Sequence, residues 1–170
     1  MKKFLLVIDG PMGAGKTTTS KILHEKLKNV AHIGLDRIKW FVSGFKRTTP
    51  QNEMTRSVLM GMARAYLKQG VSVILEQAIR KDQVVKYKKI AKANKARFLI
   101  YQLEAPKDIL FKRVIKRPPP PGKSKVARSR IIRNYKIYNS RKPFTATILN
   151  SKDLTAKQVA NHILKDIMKG

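Results

Sequence analysis

The chain has 170 residues, with 38 Lys or Arg against 10 Asp or Glu and a formal net charge of +28 at pH 7. Its length suits one domain with one core, and no window reaches the roughly 18 to 20 continuous apolar residues of a membrane helix. It contains no cysteine, which excludes a disulfide framework and a thiolate metal site. We therefore expect a cytoplasmic protein with a polyanionic partner, although a lysine-rich proteome would leave a similar excess of charge.

Short apolar runs alternate with amphipathic segments along the whole sequence. The predicted strands are Phe4 to Ile8, Ala31 to Gly34, Val71 to Leu75, Phe98 to Leu103 and Thr147 to Leu149. The predicted helices are Thr17 to Lys28, Pro50 to about Lys68, Lys81 to Lys95, Pro106 to Arg117, Val126 to Tyr138 and Thr155 to Met168. The four prolines from Pro118 to Pro121, followed by Gly122, end the fourth of these helices.

This alternation predicts a parallel sheet with helices on both faces and right-handed crossovers. Ligands of such sheets bind beyond the carboxyl ends of the strands. Gly10, Asp36, Glu76 and Glu104 each come just after a predicted strand. We therefore expect all four to face one cleft.

The segment from Gly10 to Thr17, GPMGAGKT, fits the phosphate-loop pattern GxxxxGK[ST] in full. Small residues let successive backbone N–H groups surround a β-phosphate, while Lys16 bridges the β- and γ-phosphates and the Thr17 hydroxyl holds Mg²⁺. The match lies between a predicted strand and a predicted helix, as this mechanism requires. The predicted nucleotide-binding residues of the loop are Gly10, Met12, Gly13, Ala14, Gly15, Lys16, Thr17 and Thr18.

The loop alone does not distinguish a kinase from a GTPase, a motor or a transport ATPase. The chain lacks the guanine-reading pattern N-K-x-D and is too short for the sensor and arginine-finger elements of larger ATPases. Together with Asp36 and Lys39, the stretch from Gly70 to Arg80 and the segment from Leu103 to Arg117, the loop resembles the nucleotide-kinase branch of P-loop proteins. That branch includes gluconate kinases, chloramphenicol phosphotransferases and polynucleotide 5'-kinases.

The resemblance implies a P-loop NTPase three-layer α/β sandwich, with a five-stranded parallel sheet in the order 2-3-1-4-5. It also implies one kinase domain over residues 1–170 with a basic lid at about 117–135, and ATP and Mg²⁺ as cofactors. In polynucleotide kinases an Asp-x-x-Arg follows the second strand, its carboxylate acting as the base and its arginine engaging the acceptor. Asp36 matches the first position, Lys39 stands at the second, and Arg37 could substitute for it.

The resemblance further assigns Glu76 to the acceptor site or to a water on Mg²⁺. Arg113 and Arg117 are similar to the pair that contacts adenine and the transferring phosphoryl group, and Asn150 falls where related kinases wrap the base. The catalytic residues are then Lys16, Asp36 and Arg117. The remaining acceptor-binding assignments are Arg80 and the lid residues Arg130 and Arg133.

Each of these residues also has a purely structural interpretation. Asp36 could cap a helix, Glu76 could form a structural salt bridge, and the helical arginines could simply face solvent. Trp40, Phe41 and Phe45 could stack on an acceptor base or belong to the core, and we expect core.

The density of positive charge bears on the acceptor. Lys107 to Lys142 holds thirteen Lys or Arg and one acid, Asp108, which is more than ATP recognition requires. We therefore expect a kinase acting on a polynucleotide 5'-hydroxyl of RNA or DNA. The alternatives are a small-molecule kinase for a nucleoside, nucleotide, sugar acid or antibiotic, and an RNA-binding switch protein that uses its phosphate loop for regulation.

Overall fold

The computed structural model describes residues 1–119, 124–141 and 143–169. Five strands form one sheet, and all of its neighbouring pairs are parallel. The strands are β1 Phe4–Asp9, β2 Val30–Gly34, β3 Ser72–Glu76, β4 Arg97–Glu104 and β5 Thr147–Asn150. Their order across the sheet is β2-β3-β1-β4-β5, which confirms the predicted order.

Seven helices cover the sheet within the described residues. They are α1 Lys16–Lys26, α2 Leu35–Lys39, α3 Thr49–Lys68, α4 Lys81–Ala93, α5 Lys107–Lys116, α6 Arg128–Asn139 and α7 Ala156–Met168. None of those helices has the length and apolar character needed to cross a lipid bilayer.

The central strand β1 shows how the two cores are built. All six of its residues are buried, and successive side chains alternate between the faces of the sheet. Leu5 and Val7 join the core beneath α3 and α4. Phe4, Leu6 and Ile8 join the core on the other face, which includes residues of α1, α5 and α7. A strand buried on both faces reads as a continuous apolar run, which is why the sequence identifies it.

Helix ends differ from the predictions where local backbone chemistry decides them. Helix α4 ends at Ala93 rather than Lys95, and Lys95 has a left-handed backbone with φ 52°, which a helix cannot include. Helix α5 ends at Lys116, and Arg117 has extended geometry, because Pro118 follows Arg117 directly and disfavours helical geometry in the residue before it. Pro120 to Gly122, the second part of the predicted proline break, lie outside the described residues.

Candidate active site

The phosphate loop leaves the buried end of β1 and runs into α1. A Cβ atom on Gly10 would lie 2.6 Å from the carbonyl oxygen of Leu103, and one on Gly13 would lie 2.7 Å from that of Leu110. Both glycines also have positive φ angles, 150° and 87°, so larger residues would be excluded twice over. The loop therefore lies directly against β4 and α5 and leads into the N-terminus of α1, where the helix dipole favours an anion.

Lys16, the first residue of α1, folds back across this loop. Its Nζ donates hydrogen bonds to the carbonyl oxygens of Gly10 at 2.8 Å and Pro11 at 2.9 Å. Burial lowers the pKa of Lys16, although nearby carboxylates act in the opposite direction; in decreasing order of effect these are Glu76, Asp9 and Asp36. A lysine partly stripped of water and held by only two carbonyls is well placed to transfer its hydrogen bonds to phosphate oxygens.

Thr17 and Glu76 meet at the mouth of the loop. The Thr17 hydroxyl donates to Glu76 Oε1, and His32 Nε2 lies 3.2 Å from Glu76 Oε2. Burial alone would raise the pKa of Glu76, but the hydrogen bonds from His32 and Thr17 and the charge of Lys16 hold it below its usual value. Glu76 is therefore an ionised carboxylate beside a hydroxyl, two oxygen ligands of the kind that Mg²⁺ prefers.

No group of three His, Asp or Glu side chains that could enclose a metal occurs in the part of the chain that the structure describes. Mg²⁺ in phosphoryl-transfer sites commonly takes only one or two protein ligands and completes its shell with waters and substrate phosphates. Thr17 and Glu76 fit that pattern. Glu76 also has a structural contact, because its Oε2 lies within hydrogen-bond distance of His32 Nε2.

Asp36 lies on the short helix α2, directly after β2. The helix is capped by Gly34 and has no side-chain cap, so the carboxylate of Asp36 does not serve as an N-cap. Lys39 Nζ donates to Asp36 Oδ1 at 2.7 Å, and Arg47 Nη1 lies 3.7 Å from the same oxygen. The Asp36 side chain remains 76% exposed, whereas Lys39 is buried.

The cations around Asp36 control its ionisation. The walls of the cleft reduce hydration and raise the pKa of Asp36, but Lys39, Arg47 and Lys16 together hold it below its usual value. Arg130 of α6 interacts electrostatically with this site. Burial and the charge of Arg47 lower the pKa of Arg130, and the charge of Asp36 acts in the opposite direction. An exposed carboxylate is thus surrounded by positive charge from three elements, and the lid arginine predicted from the sequence is one of its neighbours.

Two aromatic residues, Trp40 and Phe41, directly follow helix α2, which carries Asp36. Trp40 is 56% exposed and Phe41 is 75% exposed, so the expectation that they belong to the core is wrong. The guanidinium carbon of Arg47 lies 6.0 Å from the centre of the Trp40 ring. Exposed aromatic rings beside a cationic pocket are suited to stacking on a base or sugar.

Two other contacts of helix α6 were not anticipated. Asn134 Oδ1 accepts a hydrogen bond from the backbone N–H of Met12 at 2.9 Å, so a side chain occupies an amide of the phosphate loop. At the end of the helix, Tyr138 donates to the fully buried carboxylate of Asp9 at 3.1 Å. Helix α6 is therefore anchored to both ends of the strand-to-loop junction.

Arg141 completes this buried anchor. Its guanidinium lies 3.0 Å from Asp9 Oδ2 and 3.7 Å from the centre of the Tyr138 ring, and it also donates to the carbonyl oxygen of Ile79. Asp9 and Arg141 are separated by 132 positions, and no local sequence pattern links them. Only the acidic residue immediately before Gly10, inside an apolar strand, hinted that a buried partner was required.

The predicted adenine side is organised by Arg113. Its guanidinium donates to the hydroxyl oxygen of Ser151 at 3.2 Å and to the carbonyl oxygen of Ser151 at 2.6 Å. Asn150 forms a local turn through Asp153 at 2.7 Å. Arg117 is exposed beyond the end of α5, so it does not share a helical face with Arg113. The structure therefore brings Arg113 close to Asn150, whereas Arg117 lies on extended backbone after the helix.

Three further predicted residues remain on the surface. Arg80 makes a bidentate ion pair with Glu53 at 2.8 and 2.9 Å and contacts Asp82 at 3.3 Å. This joins α3 to the start of α4, so Arg80 already has a structural role. Arg37 and Arg133 are exposed.

The fold and the arrangement of the phosphate loop, Lys16, Thr17 and Glu76 define a P-loop nucleotide-binding protein. A family model described as AAA domain matches residues 5–137. That range is most of the chain, which therefore belongs to this AAA domain family.

Solved structures share the fold over nearly the whole chain. A sugar kinase from Janibacter sp. is 16% identical, with a TM-score of 0.70 and coverage of 96% of this chain and 93% of that one. The APS kinase of Mycobacterium tuberculosis, solved with AMPPNP and APS, is 15% identical with a TM-score of 0.70, covering 99% of each chain. These matches confirm the predicted fold and its resemblance to that of P-loop kinases.

A chain of the Pnkp1/Rnl/Hen1 RNA repair complex also shares the fold. It is 20% identical with a TM-score of 0.67, and the match covers 81% of this chain but 44% of that one. Structures of proteins with different substrates therefore fit the same framework, so the acceptor has to be argued from the residues of this chain.

Proposed function

We propose that this chain is an ATP- and Mg²⁺-dependent kinase that transfers the γ-phosphoryl group to the 5'-hydroxyl of a polynucleotide. The observation that carries the proposal is the position of Asp36. Its carboxylate lies at the same sheet edge as the phosphate loop, within electrostatic reach of Lys16, and contacts Lys39 and Arg47. A carboxylate there can orient an alcohol, and the two cations can bind the phosphate next to it.

The donor side of the reaction uses the loop. The amides from Met12 to Thr18 would bind the β- and γ-phosphates, and Lys16 would exchange its two carbonyl contacts for phosphate oxygens. Thr17 and Glu76 would hold Mg²⁺, which neutralises charge on the β- and γ-phosphates when bound. Arg113 and Asn150 would border the adenine.

The acceptor side uses Asp36. The hydroxyl oxygen forms a bond to the γ-phosphorus while the bond from that phosphorus to the β,γ-bridging oxygen breaks, so ADP leaves. The hydroxyl proton passes to the Asp36 carboxylate. Because the transition state is loose, alignment matters more than base strength, and a carboxylate with a lowered pKa is sufficient for orienting the alcohol.

Positive groups from the proposed lid, residues 117–135, would close over the transferring phosphoryl group. Arg130 already interacts electrostatically with Asp36 and Arg47. The side chains of Arg117 and Arg133 are exposed and would approach the phosphoryl group on closure. Closure would add charge stabilisation and exclude the water that hydrolyses ATP. Lys39 and Arg37 would contact the acceptor together with Arg47.

Three observations favour a polynucleotide over a small acceptor. Trp40 and Phe41 are exposed directly after the helix that carries Asp36, the chain has a net charge of +28, and the RNA repair complex contains a chain of this fold. Aromatic rings and a basic surface are the two features that bind single strands. Cytoplasmic location remains a prediction from composition.

The experiment is a transfer assay with γ-labelled ATP and matched acceptors. A 5'-hydroxyl RNA, the same RNA with a 5'-phosphate, the corresponding DNAs, and a panel of nucleosides and sugar acids are compared. The proposal predicts label on 5'-hydroxyl ends and none on 5'-phosphorylated ends. Label found on small molecules alone would refute the polynucleotide acceptor and indicate a small-molecule kinase.

A further inference from the structure

A groove runs between α3 and α4 on the face of the sheet where these helices pack side by side. Its volume is about 580 Å³, which is in the range of ligand sites. Its lining includes Met60, Gly61, Arg64, Lys86, Lys89 and Ile90. The groove lies outside the site described above.

The charge of this groove is of one sign. Arg64, Lys86 and Lys89 are exposed, no acidic residue lines the groove, and within the described ranges none of the three cations makes an ion pair. The acids of the two helices, Glu53 and Asp82, lie near their N-terminal ends and pair with Arg80. Uncompensated cations along one groove attract a polyanion and repel one another without it.

Gly61 leaves the floor of the groove open. A glycine inside a helix costs roughly 0.5 to 1 kcal/mol relative to alanine, and α3 extends well to either side of it. A Cβ atom at Gly61 would meet no heavy atom within 4 Å, so packing does not require the glycine. With Met60 and Ile90 beside it, the open floor offers an apolar surface beneath a row of cations, which suits sugars and bases beneath their phosphates.

One wall of the groove is formed by the helix that begins next to the proposed acceptor site. Helix α3 begins at Thr49, close in sequence to Arg47, whose guanidinium lies 3.7 Å from the Asp36 carboxylate. From that end to Arg64 the helix rises about 22 Å. Single-strand grooves bind roughly 4 to 16 nucleotides, so a polynucleotide with its end at Asp36 is long enough to reach Arg64.

We infer that the groove between α3 and α4 binds the sugar–phosphate backbone of the single-stranded polynucleotide whose 5' end is phosphorylated at Asp36. The inference rests on the proposed function and adds a second binding region to it. Short acceptors occupy only the Asp36 end, and longer ones gain affinity from Arg64, Lys86 and Lys89.

The test compares a groove variant, Arg64→Ala with Lys89→Ala, with a control on the opposite face, Lys21→Ala with Lys157→Ala. Fluorescence anisotropy measures binding of 5'-hydroxyl RNAs of about 4 and 20 nucleotides over a range of salt. The salt slope is the slope of log K against log salt concentration, and each single-strand phosphate contact contributes about 0.7 to its magnitude. The groove variant lacks two such contacts, so its slope is smaller by about 1.4. At about 0.1 M salt this corresponds to a loss of affinity for the longer RNA on the order of 25-fold. The control and the short RNA change little.

Gly61→Glu gives a readout that misfolding cannot imitate. Glutamate is the better helix former, so this variant has a higher Tm, yet its carboxylate weakens binding of the longer RNA. Gly61→Ala raises Tm without that loss. Equal affinity and equal salt slope in the groove and control variants would overturn the inference. Binding of polyglutamate but not of long RNA would also overturn it, and would indicate that the groove binds an acidic protein.

The two proposals fail in different assays. Transfer to the short RNA tests the proposed function and does not involve the groove. Normal transfer to the short RNA with no length-dependent binding would refute the groove alone. No transfer to any polynucleotide would refute the function and, with it, the assignment of the bound strand as an acceptor.

Discussion

The contact between Asn134 and the phosphate loop makes a quantitative prediction about nucleotide affinity. Asn134 Oδ1 accepts the N–H of Met12 at 2.9 Å in a partly buried position. A bound nucleotide would place a phosphate oxygen on that amide, so the asparagine has to leave it. Asn134→Ala removes the competitor from the nucleotide-free protein and leaves the amide available.

The magnitude follows from the hydrogen bond. A neutral bond of this kind contributes about 0.5 to 1.5 kcal/mol net, so its removal lowers the Kd of a nucleotide about 2- to 12-fold. The same change lowers the free energy of unfolding of the nucleotide-free protein by a similar amount.

Isothermal titration calorimetry with Mg-AMPPNP avoids turnover during the measurement. Asn139→Ala is the matched control, because Asn139 is exposed on the same helix. Tighter binding by Asn134→Ala and unchanged binding by Asn139→Ala are expected. Weaker binding by Asn134→Ala would refute the reasoning, since it would make Asn134 a ligand of the nucleotide rather than its competitor.

The remaining predictions concern single side chains. Lys16→Ala abolishes transfer, and product detected above the no-enzyme background would contradict this. Asp36→Asn lowers the transfer rate roughly 10²- to 10⁴-fold with nucleotide affinity nearly unchanged by calorimetry. Asp9→Asn, which leaves a buried guanidinium without its charge partner, lowers the free energy of unfolding by about 3 kcal/mol in urea titrations, whereas the exposed Asp108→Asn has little effect. The pKa of Glu76 is lowered from its usual 4.5, so the stability that its carboxylate contributes is complete above about pH 4.5 and is lost as pH falls through the folded-state pKa. Urea titrations of wild type and Glu76→Gln measure this contribution as a difference in the free energy of unfolding. A difference that disappeared between about pH 6 and 5 would contradict the lowered pKa.

Local patterns predicted the framework because local chemistry determines it. The apolar run of β1, the glycines of the phosphate loop and the carboxylate at the end of β3 each follow from neighbouring residues. Gly10 and Gly13 illustrate this, because both their positive φ angles and their close approach to other backbone demand glycine at those positions.

Long-range contacts could not be predicted in this way. The bond between Met12 and Asn134 spans 122 positions, and the ion pair between Asp9 and Arg141 spans 132. Neither partner has a sequence neighbour that identifies the other. The exposed positions of Trp40 and Phe41 were also missed, because large aromatic residues are usually buried and only the tertiary structure shows that more than half of each side chain is exposed.

The central claim is that Asp36 delivers an alcohol to the phosphate loop, and stoichiometry tests it most directly. With γ-labelled ATP and a saturating 5'-hydroxyl RNA, the label transferred to RNA and the amount of ADP formed are measured in the same reaction. The account predicts one labelled end for each ADP and little free phosphate. ADP and free phosphate without labelled RNA or any other labelled alcohol would contradict it, and would favour a switch protein that hydrolyses ATP.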